Sequence, residues 1–384
     1  MTVERRIAHI DMDAFFASCE LSRYPELRGV PMVVAGHRQH EPRLLADGTR
    51  EFSRLSQYTG RGVLTTATYE ARALGLNSGM PTMKAAKLAP QAVLLPVNFE
   101  LYRHHSRLFK SAVKSISEFV EDVGIDEVYA DVSELDEGSR AIAERIKLAV
   151  REASGLTCSV GIAPNKLLAK LCSDLDKPDG ITLVTMADLP TRIWPLPARR
   201  INGIGPKATE KLASIGITTI GELAARDKVE LVEHFGRSTG LWMHEAAHGH
   251  DERPVQPNSE PVSMSRETTF DRDMNVERDR VELRRIFTAL CEQLAEDLQR
   301  KGYLSRTIGI KVRFDDFKTA TRDITLQTPV SDVGSIRKAA AVCLKRVDLS
   351  RRLRLLGVRA SGLEREGATG PEGPEQAVFD FKPI

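Results

Sequence analysis

The sequence predicts an α+β protein of several domains, and three observations carry that reading. Residues 1 to 173 alternate short apolar runs with helical patterns, two of those runs ending in carboxylates. Residues 174 to 250 turn helical with short connections. Beyond a proline-containing stretch, 251 to 261, comes a strand, helix, strand, strand, helix, strand order that closes at Val358.

Taken in order, Ile7 to Ile10 reads as a buried strand ended by Asp11-Met12-Asp13, with a helix from Ala14 to about Leu21. Met32 to Ala35 is a second short strand. The polar stretch from His37 to Gly60 lacks periodicity and is expected to be a long loop or extended hairpin carrying no core. Val63 to Tyr69 reads as strand, Glu70 to Leu74 as the start of a helix, Met83 to Leu88 as more helix and Val93 to Pro96 as strand. Phe99 to Phe119 repeats apolar residues at helical spacing. Phe119 to Val123 and Glu127 to Val132 form two strands around a turn at Gly124, followed by a helix over Arg140 to Glu152 and a strand over Thr157 to Ile162. Such alternation predicts a small mixed sheet backed by helices on one face. The last 26 residues are rich in Gly, Glu, Pro and Ala and read as a flexible tail.

Composition bounds the function loosely. The chain has 384 residues, formal net charge +2, 41% hydrophobic and 28% charged residues, which is ordinary for a soluble globular protein. A near-neutral total can conceal a basic face. The five cysteines are scattered with no CxxC pair, which argues for a reducing compartment and against a disulfide frame or structural zinc. No segment reaches the roughly 20 apolar residues of a membrane helix. A cytoplasmic protein is expected.

The carboxylates are the first functional signal. An isolated acid is ordinarily a solvated surface charge, but Asp11 follows an apolar strand, and Asp126 and Glu127 sit in the turn between two more. If those strands are neighbours, three carboxylates converge, and like charges in a poorly solvated pocket call for divalent cations. Oxygen ligands alone favour magnesium or manganese over zinc. A pair of such ions suits in-line displacement at phosphorus.

The surrounding residues form an ordered series: Asp11 through Glu20, Thr66 through Arg72, Gly79-Met80-Pro81, Gly124 through Asp131 and Ser159 through Lys166. That series resembles the Y-family translesion DNA polymerases, most closely the polymerase IV (DinB) branch, over residues 7 to 358. The resemblance implies a right-hand polymerase with a ferredoxin-like palm (1–22 and 98–173), small fingers (23–97, with the polar 37–60 insertion), a helical thumb with a helix–hairpin–helix (174–250), a linker (251–261), an α/β little finger (262–359) and a flexible tail (360–384). It implies template-directed, low-fidelity, low-processivity addition of dNTPs to a primer 3′-OH in damage tolerance, with two Mg²⁺ ions for which Mn²⁺ can substitute. Asp11, Asp126 and Glu127, with the Met12 carbonyl, are then the metal ligands. Phe16 stands at the steric gate, the ring that would clash with a ribose 2′-hydroxyl, beside Phe15. Thr66, Tyr69, Arg72 and Lys166 match residues that hold the triphosphate. A monomer associated with the nucleoid is implied. Two departures from the family pattern stand near the site: Gly124 replaces a usual serine, and Ala130 a larger apolar residue.

Gly203-Ile204-Gly205-Pro206-Lys207 resembles a helix–hairpin–helix, whose glycines let backbone approach a phosphate; Gly203, Gly205 and Lys207 are its candidate contacts. In the last domain Arg306 to Arg313 alternates apolar with polar or basic residues, and Arg266, Arg306, Lys311, Arg313, Lys318, Thr321 and Arg322 are the candidate DNA contacts. Gln376, Phe379 and Phe381 near the end resemble a bacterial sliding-clamp-binding peptide. Two rival functions are a catalytically silent DNA-binding scaffold of the same architecture that recruits a replicative polymerase, and a nucleotidyl cyclase. Retention of the carboxylates with Phe16, Arg72 and Lys166 argues against the first. The DNA-gripping segments argue against the second.

Overall fold

The structure, a computed structural model, describes residues 4–36, 40–258 and 260–367, which fall in two compact units, Met1–Ser259 and Glu260–Ile384. Elements of the first unit run β1 (Ile7–Met12), α1 (Phe15–Arg23), β2 (Met32–Val34), β3 (Arg43–Leu44), β4 (Arg50–Glu51), β5 (Thr66–Ala67), α2 (Tyr69–Ala73), α3 (Thr82–Leu88), β6 (Val93–Leu95) and α4 (Phe99–Lys114). They continue β7 (Val120–Asp122), β8 (Glu127–Asp131), α5 (Ser139–Ser154), β9 (Cys158–Ala163), α6 (Lys166–Ser173), β10 (Ile181–Leu183), α7 (Pro206–Ser214), α8 (Ile220–Ala224), α9 (Lys228–Phe235) and α10 (Arg237–Ala247).

The main sheet has the order β10-β9-β1-β8-β7. β1 is central because all of its residues but Asp11 are buried, and it pairs antiparallel with both β8 and β9. Leaving out β10, the β1-α4-β7-β8-α5-β9 path is the ferredoxin-like arrangement. α4 and α5 are amphipathic and turn Tyr102, Phe109, Val113, Ile142 and Ile146 into one core with Ile10 and Val128. A second, three-stranded sheet, β5-β2-β6, is built from 32–95 around its own apolar cluster.

Three sequence expectations need correction. The 37–60 stretch was expected to carry no core. Its β3–β4 hairpin is indeed exposed, but Leu55 and Tyr58 are buried in the cluster of the small sheet. Residues 174–250 were expected to be helical with short turns. Instead β10 lies within them and pairs parallel with β9 at Ile181↔Val160, so the sheet extends past the expected palm boundary at 173. Residues 251–261 were expected to be a free linker, yet 251–256 is fastened within the first unit. Asp251 accepts from the Leu167 N–H (3.0 Å) and Glu121 accepts from the Gln256 N–H (2.9 Å).

The second unit runs β11 (Ser263–Met274), α11 (Arg280–Lys301), β12 (Tyr303–Phe314), β13 (Thr319–Val330), α12 (Val333–Leu344) and β14 (Leu353–Arg365). Its sheet has the order β11-β14-β12-β13, and α11 and α12 cover one face. β14 continues to Arg365, so the expected tail starting at 360 begins as strand. Residues 368–384, which carry Gln376, Phe379 and Phe381, lie outside the described residues.

Candidate active site

β1 delivers Asp11 to the end of the sheet, directly opposite Glu127 on β8. The Met12 N–H donates to the Asp126 carbonyl (3.0 Å), which fixes the neighbouring turn. After Met12 the chain reverses through Ala14, whose φ of 43° is left-handed and costs an L-residue about 1 kcal/mol or more. Buried Asp13 steadies this corner, accepting from Ser159 Oγ (2.8 Å) and from the Asp179 N–H (2.9 Å). The reversal is what lets α1 start at once and set Phe15 and Phe16 beside the carboxylates.

The turn that carries Asp126 is pinned from α4. Lys110 Nζ donates to the Gly124 carbonyl (2.6 Å) and to Asp122 (2.7 Å). A Cβ at Gly124 would stand 3.1 Å from Glu127 Cγ, so glycine leaves that side chain room. Ala130 is fully buried opposite Ala8, in a layer where two small residues face each other.

Asp11 and Asp126 line one pocket of about 230 Å³ together with Phe16, Thr66, Arg72 and Lys177. Met12, Ala14, Phe15, Thr65 and Ser78 complete its described wall. Burial pushes the carboxyls of Asp11 and Asp126 above the ordinary aspartate range, and for Asp126 the charge of Glu127 adds to the effect. Lys177 Nζ opposes the shift at Asp11, 2.6 Å from its Oδ1. Glu127 behaves oppositely and is held down at about 2, by contact with His9 and by Lys170, against its burial. His9 Nε2 lies 3.2 Å from Glu127 Oε2 without hydrogen-bond alignment. Since burial also lowers the pKa of His9, the Lys170 ammonium is the charge that counts at neutral pH.

Ligand atoms of His9, Asp11 and Glu127 lie within 4.8 Å of one another, whereas Asp126 stands outside that group and lines the pocket with Asp11; Glu127 and His9 are not part of the pocket wall. Asp11 and Asp126 are oxygen donors whose ionised forms burial penalises, a cost a hard divalent cation would relieve, and the ionised Glu127 is a third oxygen donor beside Asp11. Sequence reasoning did not single out His9; a histidine inside an apolar run is ordinarily core.

Opposite the carboxylates, Thr68 caps α2 and accepts from the Ala71 N–H (3.3 Å). The Arg72 guanidinium lies over the Tyr69 ring (4.8 Å) and donates from Nε to the Ala67 carbonyl, which aims its remaining N–H groups outward. The buried Tyr69 hydroxyl has no hydrogen-bond partner. An orphaned hydroxyl beside a guanidinium is a fitting acceptor-seeking surface for phosphate oxygens.

Lys166, expected here, is elsewhere. It is buried, bonded to Glu121 (2.6 Å) and to the Pro254 carbonyl (3.4 Å), and lies over the Tyr129 ring. It starts α6 and points to the 251–256 segment. The lysine at the pocket is Lys177, in the turn that precedes β10. Its signal in the sequence was Pro178-Asp179-Gly180 followed by Ile181-Thr182-Leu183, turn chemistry ahead of a short strand.

Elsewhere in the first unit, Gly203 has φ 110°, and a Cβ there would stand 2.7 Å from the Trp242 ring, so only glycine fits this tight turn. Gly205 caps α7 without a side chain, and Lys207 is exposed in its first turn. In the second unit, residues paired directly across strands share a face. Lys311 pairs with Thr321 and Arg313 with Thr319, on the face away from the helices. Arg322 pairs with core residue Ile310, and Arg266 with core residue Val358; both therefore belong to the other side. Arg266 is bound there to Asp297 of α11 (2.5 Å). Arg306 is tied to Glu364 (2.8 Å), Lys311 to Glu267 (2.8 Å), and Lys318 lies in the β12–β13 turn beside Asp316. Of the expected contacts, Lys311 and Arg313 thus share the open face with their threonine partners, and Arg266 and Arg322 do not.

Residues 10–174 match the impB/mucB/samB family, and residues 261–373 match that family's C-terminal domain. The chain is 41% identical over 367 residues to the DNA polymerase IV of Methanoculleus marisnigri, covering 94% of this chain and 96% of that one. It is 39% identical over 365 residues to the DNA polymerase IV of Streptomyces coelicolor, covering 93% and 71%. Among solved structures, a Y-family DNA polymerase chimera of Dbh and Dpo4 superimposes with a TM-score of 0.78 at 24% identity, over 93% of this chain and 99% of its own. An insertion ternary complex of Dbh DNA polymerase follows at 0.65. By full-length sequence similarity and by fold, the chain belongs to the Y family of DNA polymerases, in its DNA polymerase IV branch.

Proposed function

We propose that the pocket bounded by Asp11, Asp126, Phe16, Arg72 and Lys177 is where this enzyme, a DNA-directed DNA polymerase of the translesion type, joins a deoxynucleotide to a primer. The observation that carries the proposal is that the half-buried carboxylates of Asp11 and Asp126 share one pocket with the cations Arg72 and Lys177, the hydroxyl of Thr66 and the ring of Phe16. Y-family polymerases work with divalent metal ions. Asp11, Asp126 and Glu127, with the Met12 carbonyl, would hold two Mg²⁺ or Mn²⁺ ions, which when bound lower the charge barrier to attack at phosphorus.

The chain's own groups supply the rest. Arg72 and Lys177 balance the triphosphate charge, while Thr66 and Tyr69 hold its oxygens by hydrogen bonds. Phe16 walls the sugar and excludes a 2′-hydroxyl. Lys170 on Glu127 and Lys177 on Asp11 favour the ionised form of those carboxylates, the form in which they would hold metal. Lys177 serves here in place of Lys166, which fastens the 251–256 segment. DNA is gripped by backbone at Gly203 and Gly205 with Lys207, and by the open sheet face of the second unit.

Primer extension on a primed template with Mg²⁺ and dNTPs tests the proposal. Extension is expected, with none of the cyclic nucleotide that a cyclase would make; absence of extension by intact protein would favour the scaffold. Lys177→Ala should raise the KM for dNTP in that assay by about tenfold or more, and Lys166→Ala should leave it nearly unchanged. The reverse pattern restores Lys166.

A second expected outcome separates the two sides of the second sheet. Arg313→Ala with Lys311→Ala should flatten the salt dependence of DNA binding by about one unit per lost phosphate contact. Arg266→Ala should leave the slope where it is, because its guanidinium is held by Asp297 on the helix side. Equal slopes for all three variants reject the assignment. Docking of Gln376, Phe379 and Phe381 on a sliding clamp rests on sequence alone. Clamp stimulation that survives deletion of residues 375–384 would discard it.

A further inference from the structure

Phe16 does not stand alone. Its ring stacks on Tyr102 of α4, with centroids 4.2 Å apart and planes 13° from parallel. Phe99 meets both rings edge-on at 5.9 Å. The hydroxyl of that same tyrosine donates to Glu20 Oε1 (2.7 Å). Phe16 and Glu20 lie four residues apart on α1, one turn along the same face. Tyr102 therefore spans that turn, ring against Phe16 and hydroxyl on Glu20.

We propose that Glu20 is a positioning residue for sugar selection, which through Tyr102 sets where the Phe16 ring stands. The inference rests on Phe16 being the sugar gate, and its experiment keeps the two apart. A carboxylate in this place is costly. Glu20 is 1% exposed, and burial raises its pKa while the Tyr102 hydroxyl pulls it back. An apolar residue at the same helix position would avoid that cost. What the carboxylate adds over an apolar residue is direction. Stacking leaves two rings free to slide along their common plane, whereas a hydrogen bond fixes one point of the tyrosine to about the tolerance of a bond length. With the anchor released, only ring contacts hold the tyrosine, and the gate's backing loosens.

The test is the ratio of kcat/KM for a ribonucleotide to that for the matching deoxynucleotide, measured with thermal unfolding on each full-length variant. Tyr102→Phe keeps the ring and removes the anchor. Glu20→Leu removes the acceptor, and Glu20→Gln retains it in its amide oxygen. Displacements of an ångström at a reacting centre cost about a hundredfold, so a partial loosening predicts about a threefold to tenfold rise in ribonucleotide use for Tyr102→Phe and Glu20→Leu. Glu20→Gln should keep the wild-type ratio. Phe16→Ala is run beside them as the reference. If Tyr102→Phe and Glu20→Leu change stability but leave the ratio within about twofold while Phe16→Ala alters it, Glu20 is only a core residue and the inference falls. If Phe16→Ala itself leaves the ratio unchanged, the gate falls and the inference with it.

Discussion

Asp126→Ala is expected to abolish primer extension, a loss of at least about 10³-fold or 4 kcal/mol in transition-state stabilisation, without cost to folding. The two halves of that result have one cause. Asp126 is pressed between burial and the charge of Glu127, and both raise its pKa above that of an unfolded aspartate. For an acid the sign is definite. Stability linked to such a group is fully present below the unfolded value and is lost as pH rises through the folded one. At neutral pH the ionised carboxylate therefore costs stability, and its removal returns some. The melting temperature should be unchanged or up by about 1 to 3 °C. The backbone role of residue 126, its carbonyl accepting from the Met12 N–H, survives the substitution. A variant that unfolds early, or one that extends primers at more than about a hundredth of the normal rate, would contradict the assignment of Asp126 as a metal ligand.

Phe16→Ala is expected to raise ribonucleotide use relative to deoxyribonucleotide by about two orders of magnitude, equivalent to about 3 kcal/mol of lost discrimination. Selection of this kind is exclusion. The site need not bind deoxyribose better; it has only to place an atom where the 2′-oxygen would go. The half-buried ring is suited to that because its stack on Tyr102 and its edge contact with Phe99 leave it no easy retreat. Kinetics with paired rNTP and dNTP substrates decide the matter. A ratio that stays within about threefold of wild type would remove Phe16 from sugar selection.

The carboxylates were legible because Asp11 ends an apolar run and Asp126 and Glu127 sit in the turn between two more, places where an acid is not an ordinary face charge. The gate was legible only through resemblance, since two adjacent phenylalanines at a helix start look like core, as Phe15 is. Lys177 was missed for a physical reason. β10 has three residues and pairs with residues 21 positions earlier (Ile181 with Val160), so nothing local distinguishes it from the helical stretch around it. Leu55 was missed likewise, because one apolar side chain among polar neighbours has no period. Arg266 was placed with Lys311 through resemblance, and Arg322 through the recurrence of Lys and Arg on neighbouring strands. Cross-strand register puts them on opposite sides, and register is set by pairings that no single strand contains.

The pairing of β1 with β8 and β9 also has a temporal meaning. Asp11 meets Glu127 and Ser159 only when strands 116 and 148 residues apart have closed on each other, and Lys177 joins only with the turn before β10. Contacts of such separation form late, because loop-closure entropy precedes their reward. A growing or refolding chain can therefore hold helices and compact segments while possessing no catalytic centre at all. Regain of primer extension should lag regain of helical signal, and the enzyme's activity becomes a clock for completion of its first sheet.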